Sequence, residues 1–255
     1  MNYKTALVTG ASKGIGAAIT AKLIEEGLTV FGLARNLSAL EKQASKFGAK
    51  YRPVVADVRD HLAIAQQLGD TPIDVLVNNA GGLATVRPLH EQSAEETVET
   101  IELNLTAPLQ LIRFVLPHMI RQKSGHIFNL TSTAATAVFP GTTTYGASKA
   151  GLSQAGEILR YDLAGTGVRL TEIAPGRVET EFYVQAFGGD QEELRNRMYT
   201  HQRPLRPEDI ASVLVHALRL PQHVDVAKML VTPTDQAAGG SVYPSTQGSL
   251  EPESA

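Results

Sequence analysis

Tyr145 and Lys149 stand four residues apart in the stretch Thr-Thr-Thr-Tyr-Gly-Ala-Ser-Lys-Ala-Gly at 142–151. On a helix that spacing places both side chains on one face, one turn apart. A free phenol has a pKa of about 10, too high for ready proton exchange at neutral pH. An ammonium group beside it favours the phenolate, which suits an acid/base catalyst. Ser132, 13 residues before Tyr145, ends a strand-like run that begins at His126. Its hydroxyl could hold a carbonyl oxygen for the phenol, or simply bond local backbone, the commoner fate of a serine. Thr131 competes for the same task. Asn104 interrupts an apolar helix-like stretch, Ile-Glu-Leu-Asn-Leu, where asparagine is a mediocre helix former. Either it satisfies a neighbouring carbonyl or a water, or it holds a proton-relay water next to Lys149.

Elements that could bring a cofactor to this pair precede it. The first strand-like run ends in Thr9-Gly10-Ala11-Ser12-Lys13-Gly14-Ile15-Gly16, followed by a helix pattern. Glycines in that context let backbone N–H groups approach a pyrophosphate at a helix N-terminus, although a glycine turn can also bind nothing. The second strand ends Leu33-Ala34-Arg35, and no acid follows until Glu41. A site for NAD wants a carboxylate there to take the ribose hydroxyls. Arg35, with Lys13 pointing toward the same place, suits a 2′-phosphate dianion instead and makes NADP(H) the expected cofactor. Asp57, after the third strand, either accepts from the adenine amino group or caps the next helix. Asn78-Asn79-Ala80-Gly81-Gly82, after the fourth strand, would let backbone lie close to an adenosine ribose, or is a plain turn.

Strand-like runs at 5–9, 29–33, 51–56, 75–77, 126–130, 169–173 and 227–231 alternate with helical patterns at 14–26, 38–46, 61–68, 93–119, 145–164 and 207–220. Ser93 with Glu96 forms a capping box, and Pro207-Glu208-Asp209 makes a good first turn. Such alternation implies an α/β fold with a doubly wound parallel sheet. No linker or repeat divides the chain, so one domain is expected over residues 1–240, with a polar tail at 241–255.

The chain carries 23 basic and 26 acidic residues without blocks of like charge, which argues against nucleic-acid or anionic-membrane partners. It has no cysteine, so neither disulfides nor thiolate metal sites are available, and its scattered histidines offer no metal spacing. No apolar run approaches the ~20 residues of a membrane span. A cytoplasmic protein is the expectation.

Taken together, Thr9–Gly16, Asn78–Gly81, Ser132, Tyr145 and Lys149 resemble a short-chain dehydrogenase/reductase (SDR), nearly from end to end. The resemblance implies a seven-stranded single-domain Rossmann fold and a role for each matching residue. Tyr145 would be the acid/base and Ser132 would position the carbonyl. Lys149 would lower the Tyr145 pKa and, with Tyr145, hold the nicotinamide ribose, while Asn104 matches a fourth catalytic position. Cofactor contacts would come from Gly10, Ser12, Lys13, Gly14, Ile15 and Gly16, then Arg35, Asp57 and Val58, then Asn79, Ala80 and Gly81. Pro175, Gly176, Val178 and Thr180 resemble the segment beside the nicotinamide carboxamide, and Lys13 with Arg35 matches NADP(H)-preferring members.

The subgroup most similar is the 3-hydroxy acid or serine dehydrogenase type, through Ser132-Thr133-Ala134, 173–182, 206–209 and 220–224. The expected reaction is hydride transfer between nicotinamide and a secondary alcohol or carbonyl. Alternatives are reduction of ketones, sugars or 3-oxoacyl thioesters, or a non-catalytic NADP(H) sensor or scaffold on the same fold. Arg177 could clamp a substrate carboxylate or pair with Glu179 or Glu181, the latter being favoured. Residues 183–199 should form the substrate lid. Apolar stripes on 93–119 and 145–164, with small Ala147, Ala150, Gly151 and Ala155, suit helix packing between subunits or within one. The resemblance implies a homotetramer, with a homodimer as the smaller alternative.

Overall fold

Seven strands form one parallel sheet, ordered β3-β2-β1-β4-β5-β6-β7, in a computed structural model that describes residues 3–184, 192 and 203–236. In chain order the elements are β1 (Thr5–Thr9), α1 (Gly14–Glu25), β2 (Thr29–Ala34), α2 (Leu37–Phe47), β3 (Tyr51–Val55), α3 (His61–Leu68) and β4 (Val75–Asn78). There follow α4 (Ala94–Ile101), α5 (Ala107–Arg121), β5 (Gly125–Leu130), α6 (Thr143–Leu163), β6 (Val168–Pro175), α7 (Pro207–Arg219) and β7 (Lys228–Val231). Most of the expected lid at 183–199, and the whole tail at 241–255, lie outside the described residues. Among the described residues no helix is long and apolar enough to cross a membrane.

The central strands are apolar on consecutive positions because helices cover both sheet faces. Ala6, Val8, Val75 and Val77 turn to one face, where α1, α2 and α7 pack; Leu7, Leu76 and Ile127 turn to the other, against α3, α5 and α6. The period of two along a strand makes that division automatic. On α7, Ile210, Leu214 and Leu218 recur at helical spacing and are fully buried, each such burial contributing roughly 1.5–3 kcal/mol. Its end is also held: buried Arg169 donates to the carbonyls of Ala217, Leu218, Leu220 and Val224, placing a cation at the negative pole of the helix.

The helix expected over 93–119 is not continuous. The capping box is present, with Glu96 N donating to Ser93 Oγ at 3.1 Å and Ser93 N to Glu96 Oε2 at 2.8 Å. A π turn, Glu102–Thr106, then separates α4 from α5, and Ala107 N–H reaches the Glu102 carbonyl. Two causes are visible. Pro108 has no N–H to offer the carbonyl four residues earlier, that of Asn104. The Asn104 amide also donates to Thr100 O at 3.0 Å and Gly82 O at 2.8 Å, drawing this turn toward the chain that leaves β4.

The strand order reverses between β1 and β4, and the crevice beyond their carboxyl ends is where such sheets take ligands. Thr9 fixes the walls of that crevice. Its hydroxyl donates to Val77 O at 3.2 Å and accepts from Asn79 N at 3.0 Å and Ala80 N at 2.8 Å. Thr9→Val keeps the shape and removes the acceptor for both amides, so we expect a loss of about 2–4 kcal/mol in unfolding free energy. Urea denaturation measures it, and a loss below about 0.5 kcal/mol would show that both amides find other partners.

Candidate active site

The first turns of α6 carry Tyr145 and Lys149, 8% and 4% exposed. Lys149 Nζ lies 5.9 Å from the centroid of the Tyr145 ring, on the helix face that the four-residue spacing gives them in common. It donates to the carbonyl of Leu130, the last residue of β5, at 2.9 Å. Burial pushes its pKa from 10.5 down to about 8, because an ammonium deprived of water favours its neutral form. Lys149 is therefore mostly a cation below about pH 8 and progressively less of one above it, so its support for a neighbouring phenolate fades as pH rises.

Asn104 meets Lys149 across a glycine. A Cβ built on Gly81 would lie 2.7 Å from Asn104 Oδ1 and 3.2 Å from Lys149 Nζ. The Asn104 side chain is fully buried, and its Oδ1 accepts from Gly82 N at 3.1 Å. Its amide group thus does the structural job, satisfying neighbouring backbone from inside the π turn. Such turns concentrate at functional sites.

Ser132 caps a 3₁₀ turn, Thr133–Ala135, accepting from Ala134 N at 3.1 Å. That bond uses a lone pair, and the hydroxyl proton stays available for a second acceptor. The turn packs on the start of α6, where a Cβ on Gly146 would be 3.3 Å from Ala134 O. Thr131 does not compete with Ser132, because its hydroxyl is buried and donates to Glu172 Oε1 at 2.6 Å. Sequence reasoning missed Phe182, whose ring centroid is 5.8 Å from that of Tyr145. A lone aromatic beyond the Pro-Gly segment carries no signal of such a contact.

The glycine turn has the form of a cradle. Gly10 adopts φ +66°, and a Cβ there would sit 2.8 Å from Asn79 Nδ2. A Cβ on Gly16 would collide with the Gly10 carbonyl, so strand, turn and helix pack here only without side chains. No side chain caps α1 at Lys13, leaving first-turn amides and the positive helix pole to an anion. Ser12 is half-buried in the same turn, Gly14 opens the helix, and Ile15 packs its side chain on the core. The uncapped amides at the start of α1 fit a dinucleotide phosphate.

The two cations read as a phosphate pair each stand beside a carboxylate. Lys13 Nζ is 2.7 Å from Glu181 Oε2, both side chains about two-thirds exposed. Arg35 lies 3.9 Å from Asp57 Oδ2. From the sequence Glu181 is a candidate partner for Arg177; the chain's return past the glycine turn brings it to Lys13 instead.

Asp57 is gripped by Arg59 through paired bonds of 2.9 and 2.8 Å, which hold its pKa down at about 2. It does not cap α3. Asp60 does, accepting from Ala63 N at 3.0 Å, because the cap must stand immediately before the first helical residue. Val58 is a buried core side chain.

Pro175 ends β6, and Gly176 follows with its N–H on Val231 O at 2.7 Å. Gln236 Oε1 stands against Gly176 and accepts from Arg177 N at 2.8 Å. Val178 bridges to Leu205. Thr180 Cγ2 comes within 3.5 Å of a Cβ position on Gly14, so this segment lies over the glycine turn. The favoured pairing of Arg177 is not found: Glu181 is engaged by Lys13, and among the described residues Arg177 makes no ion pair. Gly151, read as suiting helix packing between subunits or within one, meets Leu105 of its own chain, 3.1 Å from a Cβ position.

A family model described as short chain dehydrogenase matches residues 4–189. Serine 3-dehydrogenase of Agrobacterium fabrum is 35% identical over 94% of this chain and 98% of its own length. NADP-dependent 3-hydroxy acid dehydrogenase YdfG of Escherichia coli is 36% identical over 92% of this chain and 96% of its own length. A serine dehydrogenase solved in a closed form complexed with NADP+ superposes with a TM-score of 0.88 at 35% identity, covering 94% of this chain and 100% of that one. With the glycine cradle, the β4 exit and the Tyr145–Lys149 turn all inside the matched span, the chain belongs to the short-chain dehydrogenase/reductase family.

Proposed function

We propose that this protein is an NADP(H)-dependent oxidoreductase that interconverts a secondary alcohol and its carbonyl, with Tyr145 as the group that moves the proton. The observation that carries this reading is the buried Lys149, fixed on the Leu130 carbonyl and one turn from the Tyr145 phenol. Bound NADP(H) supplies or accepts the hydride. In the reducing direction, Ser132 and Tyr145 hydrogen-bond the carbonyl oxygen, where negative charge develops, and Tyr145 delivers the proton. In the oxidising direction, the Tyr145 oxygen removes the hydroxyl proton. The Lys149 ammonium, while charged, favours the phenolate, and Asn104 holds the π turn against Gly82 beside it.

Gly10, Ser12, Gly14, Ile15 and Gly16 would take the pyrophosphate, with Lys13 and Arg35 on the 2′-phosphate. Asp57 and Val58 would flank the adenine, and Asn79, Ala80 and Gly81 the adenosine ribose. Tyr145 and Lys149 would hold the nicotinamide ribose, and Pro175, Gly176, Val178 and Thr180 its carboxamide. The NADP dependence named for the Escherichia coli relative and the NADP+ held by the serine dehydrogenase support this assignment.

The same relatives favour a 3-hydroxy acid such as serine as substrate. Arg177, without an acidic partner among the described residues, is the candidate for its carboxylate. We also propose a homo-oligomer, a tetramer on the family pattern, joined through the outer faces of α5 and α6. Leu109, Ile120 and Ile158 are exposed there, and Tyr161 is 87% exposed; light scattering of the intact chain tests this. A cytoplasmic setting completes the proposal, and fractionation of the source cells tests it.

Following 340 nm absorbance with serine, 3-hydroxy acids, secondary alcohols and carbonyls, we expect turnover with NADP(H) well above that with NAD(H). Tyr145→Phe should keep cofactor binding and lose turnover by about 10²–10⁴-fold, and near-normal activity in that variant would remove the assignment. Arg177→Gln should raise KM about tenfold or more for carboxylate substrates and leave neutral alcohols unaffected, since it deletes a charge-assisted bond. Equal effects on both substrate types would take Arg177 out of the pocket.

Lys149 gives a prediction in pH. Its folded pKa of about 8 lies below the ordinary 10.5, so between those values the unfolded chain binds more protons and this group makes stability rise with pH. The burial penalty is fully present below about pH 8. Lys149→Met should therefore be inactive yet, near pH 7, more stable by an amount on the order of 1–3 kcal/mol. Denaturant titrations at pH 7 and pH 10 check the sign, and a variant less stable than the parent at pH 7 contradicts it.

A further inference from the structure

Glu172 sits within β6, 2% exposed, and no step of the proposed reaction uses it. Three donors converge on its carboxylate: Thr131 Oγ1 at 2.6 Å, Ser153 Oγ at 2.7 Å and Lys228 Nζ at 3.1 Å. Lys228 also donates to Ser153 Oγ at 3.1 Å, closing the group. Its members come from the exit of β5, from β6, from β7 and from α6. The sheet register aligns Glu172 with Asn129 on one side and Lys228 on the other.

The two hydroxyls belong to the two segments that carry the site. Thr131 stands between Leu130, whose carbonyl receives Lys149, and Ser132. Ser153 lies one helical turn beyond Lys149 on α6. Glu172 thus ties the strand exit bearing Ser132 to the helix bearing Tyr145 and Lys149. Glu172 is buried but Lys228 is one-third exposed, and a pair open to water on one side contributes little to stability, so stability alone is a poor reason for this group. What it does fix is distance, and displacements of about 1 Å in reacting groups can cost on the order of 10²-fold in rate.

We propose that Glu172 is a positioning residue of the reaction, setting Ser132 against Tyr145 and Lys149 through Thr131 and Ser153. This rests on the roles given to those residues above. The carboxylate touches neither substrate nor cofactor, and its influence passes through the two hydroxyls.

Thr131→Val is close in shape and deletes one tether, while Thr131→Ser keeps it. On the best substrate from the panel we expect kcat to fall at least fivefold in Thr131→Val and to return to within twofold of the parent in Thr131→Ser. The NADPH dissociation constant, read by fluorescence titration, should stay within twofold throughout. Ser153→Ala should lower kcat in the same manner from the helix side, and it serves if Thr131→Val does not fold. A Thr131→Val protein with parental kcat and only a lower melting temperature overturns the proposal, as does a Thr131→Ser variant equally slow. A parent protein that binds NADPH and turns over nothing refutes the oxidoreductase reading itself, and this role with it. That outcome is distinct from an active parent whose tether variants are unaffected.

Discussion

The Lys149 ammonium has left water and lies against the Leu130 carbonyl, and the surrounding structure is arranged to keep it there. Taking such a charge out of solvent is costly, which is why its pKa falls to about 8. One bond joins α6 to the end of β5 at the place where the strand releases Ser132. The approach is close enough that a side chain on Gly81 would press on both Lys149 and Asn104. Helix, strand exit and crevice wall are thereby held to one another at a single buried point.

Much of this was legible in the chain because α/β alternation leaves strong local signals. Strand β1 and helix α3 fall on their expected residues, and the capping box at Ser93 and Glu96 sits where read. Tyr145 and Lys149 needed only helical spacing. The long helix across 93–119 was misread because its hydrophobic pattern outweighed Pro108, the residue that removes a donor from the ladder. Asp57 and Asp60 are equally good caps by type, and only the turn geometry at Asp57 and Arg59 decides between them. Glu172 lies in a short strand-like run that also holds Arg169, and strand alternation alone does not say that both charges are buried. The Lys13–Glu181 contact joins residues 168 positions apart, beyond the reach of any local rule.

The rim of the cofactor crevice has its own electrostatic logic. Lys13 faces Glu181, and Arg35 stands at the edge of the Asp57–Arg59 pair. An arriving anion must therefore exchange partners rather than meet bare cations. Exposed ion pairs of this type are worth about 0–1 kcal/mol, whereas bonds to a phosphate are charge-assisted and stronger. Exchange is cheap for a dianion. For a ligand without that charge it offers little, so under the proposed assignment of Lys13 and Arg35 the acids around the rim would sharpen the discrimination that the cations begin.

The π turn at Glu102–Thr106 carries a further implication about helical phase. One extra residue in a turn rotates everything after it by about 100° about the axis. Before the turn, α4 lies along α6; after it, α5 points Ala107, Leu111, Val115 and Met119 into the sheet. A single rod can in this way serve two surfaces that no unbroken apolar stripe could reach together. Deleting one residue between Glu102 and Thr106 would swing either the Asn104 amide away from Gly82 or the whole α5 stripe off the core. The geometry of this segment therefore depends on its length more strictly than on its composition.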